Sequence, residues 1–230
     1  MVENSSQTSS SAFIERKGDG RFALVSSPFF LPRNENWYSS LFSPGVGQIS
    51  GEVTPNYGSL EENIVARIQH LMPNSKIIYI LRNPIRRTWS QVAMHFRDLG
   101  YRDLETVSDE DIIKIFDLEI VFRNSDYLKT LQIWEKFYPR KRVFIGFFDQ
   151  LVQNPRDFIK EIHDFLELDN SDRFIPNAVY KKRNTNPYPE IPGYLSCYLS
   201  QKYFDQIKKL HQRFANSYTA DWLHFAEQWL

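Results

Sequence analysis

The run Lys76-Ile-Ile-Tyr-Ile-Leu81, followed at once by Arg82-Asn83-Pro84, constrains the fold more than any other stretch of this chain. It is short, apolar and rich in β-branched residues, the pattern of a strand buried in a parallel sheet. Asn83-Pro84 punctuates its end, and Pro84 suits the first turn of a helix that should continue through about Phe96. The unit reads as strand, tight turn, helix. A second buried strand is expected in Arg142-Val-Phe-Ile-Gly146, and Asn154-Pro155 opens a helix through about Leu166 with Phe158, Ile162 and Phe165 on one face. Further helices are read over about Leu60 to Leu71, capped by Ser59, near Asp109 to Asp117, over Ser125 to Tyr138, and from Tyr194 to about Phe214. Strands alternating with helices give an α/β class: three layers, with a mainly parallel sheet flanked by helices.

Residues 1–12 are polar and Ser-rich and read as a flexible tail, leaving 13–230 as one domain, within the size at which a single core still suffices. From Phe13 to Phe42 the pattern is irregular and aromatic, broken by Pro28 and Pro32. Lysine plus arginine equals aspartate plus glutamate at 28 each, so no global field draws the chain to nucleic acid, and any anion site must come from local clustering. The lone Cys197 closes no internal disulfide, and the five histidines show no ligand-pair spacing, so no metal is expected. With no run of membrane-span length and no signal-peptide pattern, the expectation is a soluble, cytoplasmic protein. The C-terminal Trp222, Phe225, Trp229 and Leu230 read as a packed helix in preference to an oligomer contact, and the oligomeric state is not legible.

Ligands of open parallel sheets settle beyond the carboxyl ends of strands, where loops leave for helices. Arg82 stands at such an end, where its guanidinium could grip a phosphate with two parallel hydrogen bonds, and Ser90 could add a hydroxyl from the helix. The plainer alternative is a solvated face carrying Arg86 and Arg87 and an ordinary helical serine; spacing alone leaves both open. A second basic cluster, Lys181, Lys182 and Arg183, sits in a loop rich in asparagine and proline.

Ile80-Leu-Arg-Asn-Pro-Ile-Arg-Arg-Thr-Trp-Ser90 resembles the 3'-phosphate-binding motif of the sulfotransferase family, with both phosphate-contacting positions present at Arg82 and Ser90. Gly51-Glu-Val-Thr-Pro-Asn-Tyr57 is similar to that family's Gly-Glu-Lys-(Ser/Thr)-Pro-x-Tyr segment, and Asn36-Trp-Tyr-Ser-Ser-Leu-Phe42 to the Trp-Tyr-x-x-x-Phe stretch before it. Ser125-Asp-Tyr127 with Trp134, then Phe148-Asp-Gln-Leu-Val-Gln-Asn-Pro155 and Phe165-Leu-Glu-Leu168, continue the likeness in order. The resemblance implies a P-loop NTPase-like sulfotransferase fold and the co-substrate 3'-phosphoadenosine 5'-phosphosulfate (PAPS). The acceptor would be a hydroxyl or amine of a carbohydrate or small molecule. It assigns Glu52 as general base, and Lys181, Lys182 or Arg183 as cations closing on the 3'-phosphate. Val53 departs from the pattern where the family often has lysine.

The family's first strand and glycine-containing 5'-phosphosulfate loop are not found ahead of Phe29. Lys17-Gly-Asp-Gly-Arg21, the sole glycine pair with basic neighbours there, reads as a turn. Two expectations follow: a chain shortened from an active enzyme, or a nucleotide-binding or interaction domain of the same fold that catalyses little.

Overall fold

The computed structural model describes residues 13–16, 22–25, 34–40, 49–101, 104–181 and 190–230. The strand read at 76–81 is β4 (Ile77–Leu81), and β5 (Val143–Phe147) pairs with it in parallel, with Ile77 opposite Val143 and Leu81 opposite Phe147. Between them run α3 (Pro84–Asp98), α4 (Asp109–Phe116), α5 (Glu119–Arg123) and α6 (Tyr127–Phe137). Upstream lies α2 (Glu62–Leu71), and after β5 come α7 (Phe148–Gln153), α8 (Pro155–Leu166), α9 (Gly193–Phe214) and α10 (Ser217–Glu227).

Side-chain alternation along the two strands sorts these helices into layers. Leu81 and Phe147 face a core built with Ile85, Trp89 and Val92 of α3, Leu199, Tyr203 and Ile207 of α9, and Trp222 of α10. Val143 joins a second cluster with Val65 and Ile68 of α2 and Ile133 and Trp134 of α6. On the opposite face, Phe144 meets the rings of Phe158 and Phe165 from α8. Gly146 lets α8 approach: a Cβ there would lie 2.6 Å from the Phe158 ring. This is the expected arrangement of helices on both faces of a parallel pair.

Four differences from the sequence reading have local causes. β4 is not buried on both faces: Ile78 and Ile80 are each 38% exposed, whereas Phe144 of β5 is met by the α8 rings of Phe158 and Phe165. The stretch from Phe13, read as irregular, contains β1 (Phe13–Arg16), β2 (Phe22–Val25) and α1 (Glu35–Ser40), and β1 pairs antiparallel with both β2 and β3 (Gly51–Glu52). Four-residue strands are specified by pairing between segments, which leaves no local periodicity to read. Among the described residues the strands therefore form a parallel pair and a separate three-stranded antiparallel sheet. Ser59 does not cap α2; a 3-10 turn over Pro55–Ser59 absorbs it, its hydroxyl donates to the Asn56 carbonyl, and Glu61 becomes the N-cap residue.

Lys17–Arg21, read as a turn, the tail at 1–12, and Phe29, Phe30, Leu41 and Phe42 lie outside the described residues. Of the C-terminal aromatics, Trp222 and Phe225 lie on α10, with Trp222 only 2% exposed, while Trp229 follows the helix end and its ring packs at Gly193. No helix among the described residues is long and apolar enough to cross a membrane.

Candidate functional site

Arg82 leaves the carboxyl end of β4 and is fixed from three directions. Behind it, Asn83 is buried and its Oδ1 accepts from the backbone N–H groups of Ile85 and Arg86 at 2.9 and 3.2 Å, capping α3. Beside it, the guanidinium carbon stands 4.9 Å from the ring centroid of Phe148, the first residue beyond β5. Beneath it, the phenol of the buried Tyr127 hydrogen-bonds the Arg82 backbone, and the Tyr127 ring packs edge-on against Tyr79 of β4. Burial pulls the Arg82 pKa below its ordinary value, opposed by Tyr127 and Asp149, yet a guanidinium stays cationic at any working pH.

Two further arginines extend this charge along α3. Arg86 is exposed, with its guanidinium carbon 5.2 Å from the Phe225 ring centroid of α10. Arg87 turns inward and donates to Gln91 Oε1 at 2.8 Å and to Ser125 Oγ at 3.2 Å. No carboxylate among the described residues pairs with Arg82, Arg86 or Arg87, although more than half of the other cations among those residues do find one. The nearest candidate, Asp149, spends one oxygen accepting from Trp222 Nε1 at 3.1 Å. Ser90, half-buried, follows Arg86 by one helical step of four residues, so the two share a face. Uncompensated guanidinium charge at a strand's carboxyl end, with a hydroxyl on the adjoining helix face, is an arrangement suited to a phosphate dianion.

Glu52 lies on β3, opposite Phe13 in the register with β1. Its Oε1 accepts from the Tyr38 hydroxyl at 2.8 Å, and Tyr38 is in turn 2.8 Å from the Tyr57 hydroxyl. Burial, followed by contact with the other members of this cluster, holds the Tyr38 phenol far above its usual range; burial and then Glu52 push Tyr57 up to about 12. Both phenols therefore remain protonated and able to donate. Thr54, two residues beyond Glu52, buries a hydroxyl that has no hydrogen-bond partner.

A chain of contacts joins the two clusters. The Tyr57 carbonyl accepts from Trp134 Nε1 at 3.3 Å, and the Gly58 carbonyl from Thr130 Oγ1 at 2.5 Å, both on α6. Gly58 also lies under Tyr79, where a Cβ would meet the phenol oxygen at 3.4 Å. Tyr79 packs on Tyr127, which holds Arg82.

Lys181 follows a 3-10 turn at Asn177–Tyr180 and is exposed, with no contact placing it at Arg82; Lys182 and Arg183 lie outside the described residues. Sequence reasoning missed Phe148, Tyr38 and Tyr57 as parts of the site. Only their places in the quoted motifs marked them, since spacing does not show which side chains converge. Among the described residues no cluster of His, Cys, Asp or Glu could hold a metal ion.

A model of the sulfotransferase domain matches residues 65–215. Heparan sulfate glucosamine 3-O-sulfotransferase 6 of Homo sapiens is 28% identical over 160 residues, 64% of this chain and 44% of that protein. Heparan sulfate glucosamine 3-O-sulfotransferase 3B1 of Mus musculus is 25% identical over 187 residues, 73% of this chain and 44% of its own. The chain thus spans less than half the length of these curated relatives. The crystal structure of a sulfotransferase from Alicyclobacillus acidocaldarius superposes with a TM-score of 0.62 at 20% identity, covering 84% of this chain and 76% of that one, and so shares its fold.

Proposed function

Because this chain belongs to the sulfotransferase domain family, we propose that it transfers a sulfuryl group from PAPS to a hydroxyl or amine of a carbohydrate acceptor. The observation that carries the reading is Arg82, a half-buried guanidinium at the carboxyl end of β4 with no carboxylate partner among the described residues. It would grip the nucleotide's 3'-phosphate, with Ser90 adding a hydroxyl donor. Any of Lys181, Lys182 and Arg183 could close on the same phosphate.

In this reading Glu52 is the general base. It takes the proton of the acceptor O–H or N–H, the freed lone pair attacks sulfur in line, and the bond from sulfur to the 5'-phosphate oxygen breaks. The products are the sulfated acceptor, 3'-phosphoadenosine 5'-phosphate (PAP), and a proton held on Glu52. Such a step is governed by positioning and by neutralising charge on the leaving phosphate. A carbohydrate acceptor is favoured by the names of the relatives, which act on heparan sulfate glucosamine. Exposed Val53, where lysine often stands, removes a cation beside Glu52 and favours an acceptor less anionic in that place.

A second reading, nucleotide binding with little turnover, is favoured by one sequence feature. The glycine pair with basic neighbours in Lys17–Arg21 is bracketed by β1 and β2, which pair as antiparallel strands and not as the strand and helix of a phosphate loop. The separating experiment incubates the full chain with sulfur-labelled PAPS and desulfated heparan sulfate chains. Label in the polysaccharide that disappears in Glu52→Gln supports transfer. PAP binding without labelled polysaccharide supports the second reading.

A further inference from the structure

Glu52 sits on a strand of only two residues, and a carboxylate on so short an element needs side-chain contacts to hold one orientation. The groups that reach it come from elsewhere in the chain: Tyr38 from α1, fourteen residues earlier, and Tyr57 from the following 3-10 turn. Each contributing element is itself anchored. α1 is tied to α2 by the Arg67–Glu35 ion pair at 2.8 Å, and the turn is tied to α6 through Trp134 and Thr130. These elements bring two phenol oxygens within 2.8 Å of each other, one of them on Glu52 Oε1.

We infer that Tyr38, backed by Tyr57, is a positioning residue that fixes the orientation of the Glu52 carboxylate toward the acceptor. The inference rests on the reading of Glu52 as base, but its geometric part stands without it. Tyr38 donates to Oε1, so the carboxylate cannot rotate freely about its last torsion. Tyr57 shares the phenol hydrogen-bond chain and restricts Tyr38 in the same way. A neutral phenol does this without adding charge beside the reacting sulfur, which a lysine in the same place would do.

The test uses the full chain and two readouts. First, the Glu52 carboxylate stretch is isolated as the infrared difference between the parent and Glu52→Gln, and the same difference is taken in the Tyr38→Phe background. The inference requires the band to move when the phenol oxygen is removed; an unmoved band overturns it whether or not the chain turns over. Second, turnover is compared in a double-mutant cycle. Tyr38→Phe should lower kcat roughly tenfold to a hundredfold, the range for losing one hydrogen bond to a charged group, with KM for PAPS unchanged. On the Glu52→Gln background it should have no added effect. Full additivity would mean that Tyr38 acts only through the fold and would overturn the inference. Unchanged turnover in Glu52→Gln would instead sink the base reading. Tyr57→Phe, which leaves the Tyr38–Glu52 bond in place, should show the same pattern more weakly and serves if Tyr38→Phe fails to fold.

Discussion

Arg82 and Phe148 stand one above the other, guanidinium carbon 4.9 Å from ring centroid, although 66 positions separate them in the chain. Parallel pairing makes the contact. Leu81 and Phe147 are partners in register, so the next residue of each strand emerges at the same edge of the sheet. The ring supports the cation without neutralising it, as an acidic neighbour would.

Phe148→Ala should therefore weaken PAP binding while leaving the fold intact, since the ring is 37% exposed. Losing a cation–π contact of roughly 0.5–2 kcal/mol corresponds to about two- to thirtyfold in affinity. Titration calorimetry with PAP, beside an unchanged melting temperature of the free protein, checks it.

Asn83 separates structure from binding. Asn83→Ala removes the cap that accepts from Ile85 and Arg86, which should destabilise the protein by about 0.5–2 kcal/mol in urea unfolding. Asn83→Asp keeps an accepting oxygen at the cap and should retain stability. It places a carboxylate next to Arg82, however, and should lose PAP affinity. A variant that loses both or neither would contradict the assignment.

Gly146→Ala forces a methyl into the Phe158 ring at 2.6 Å, a site where both partners are buried. The expected cost is about 1–3 kcal/mol of stability. Adding Phe158→Leu, which gives way at that point, should recover part of it.

Alkaline pH tests the buried phenols. Desolvation pushes Tyr79 and Tyr138 up to about 12 from an ordinary 10.0. Below pH 10 both groups are neutral folded or unfolded, and stability is unaffected. Between about pH 10 and 12 the unfolded chain ionises them and the folded chain does not, so stability falls as pH rises through that window. Tyr79→Phe should flatten the fall, measured by urea midpoints at successive pH values.

Long helices and the two apolar strands of the α/β domain were legible, because periodicity together with Pro84 and Asn154-Pro155 marks their positions. The short antiparallel strands were not, since their pairing joins separate segments, and neither was the exposure of Ile78 and Ile80, which depends on tertiary packing over that face. Of the candidate site, Arg82, Ser90 and Glu52 are named by motif position. The side chains grouped around Arg82 and Glu52, namely Phe148, Tyr127, Tyr38 and Tyr57, were not named as partners, because convergence arises from parallel register and from turns that sequence spacing does not encode.

The central claim is an anion site at the end of β4, and PAP binding to the full chain tests it most directly. The account predicts a melting temperature that rises with PAP concentration in the parent and does not rise in Arg82→Ala or Arg82→Lys, because an ammonium cannot replace the planar two-pronged grip. A parent protein indifferent to PAP, or an Arg82→Ala variant that responds as the parent does, would contradict it.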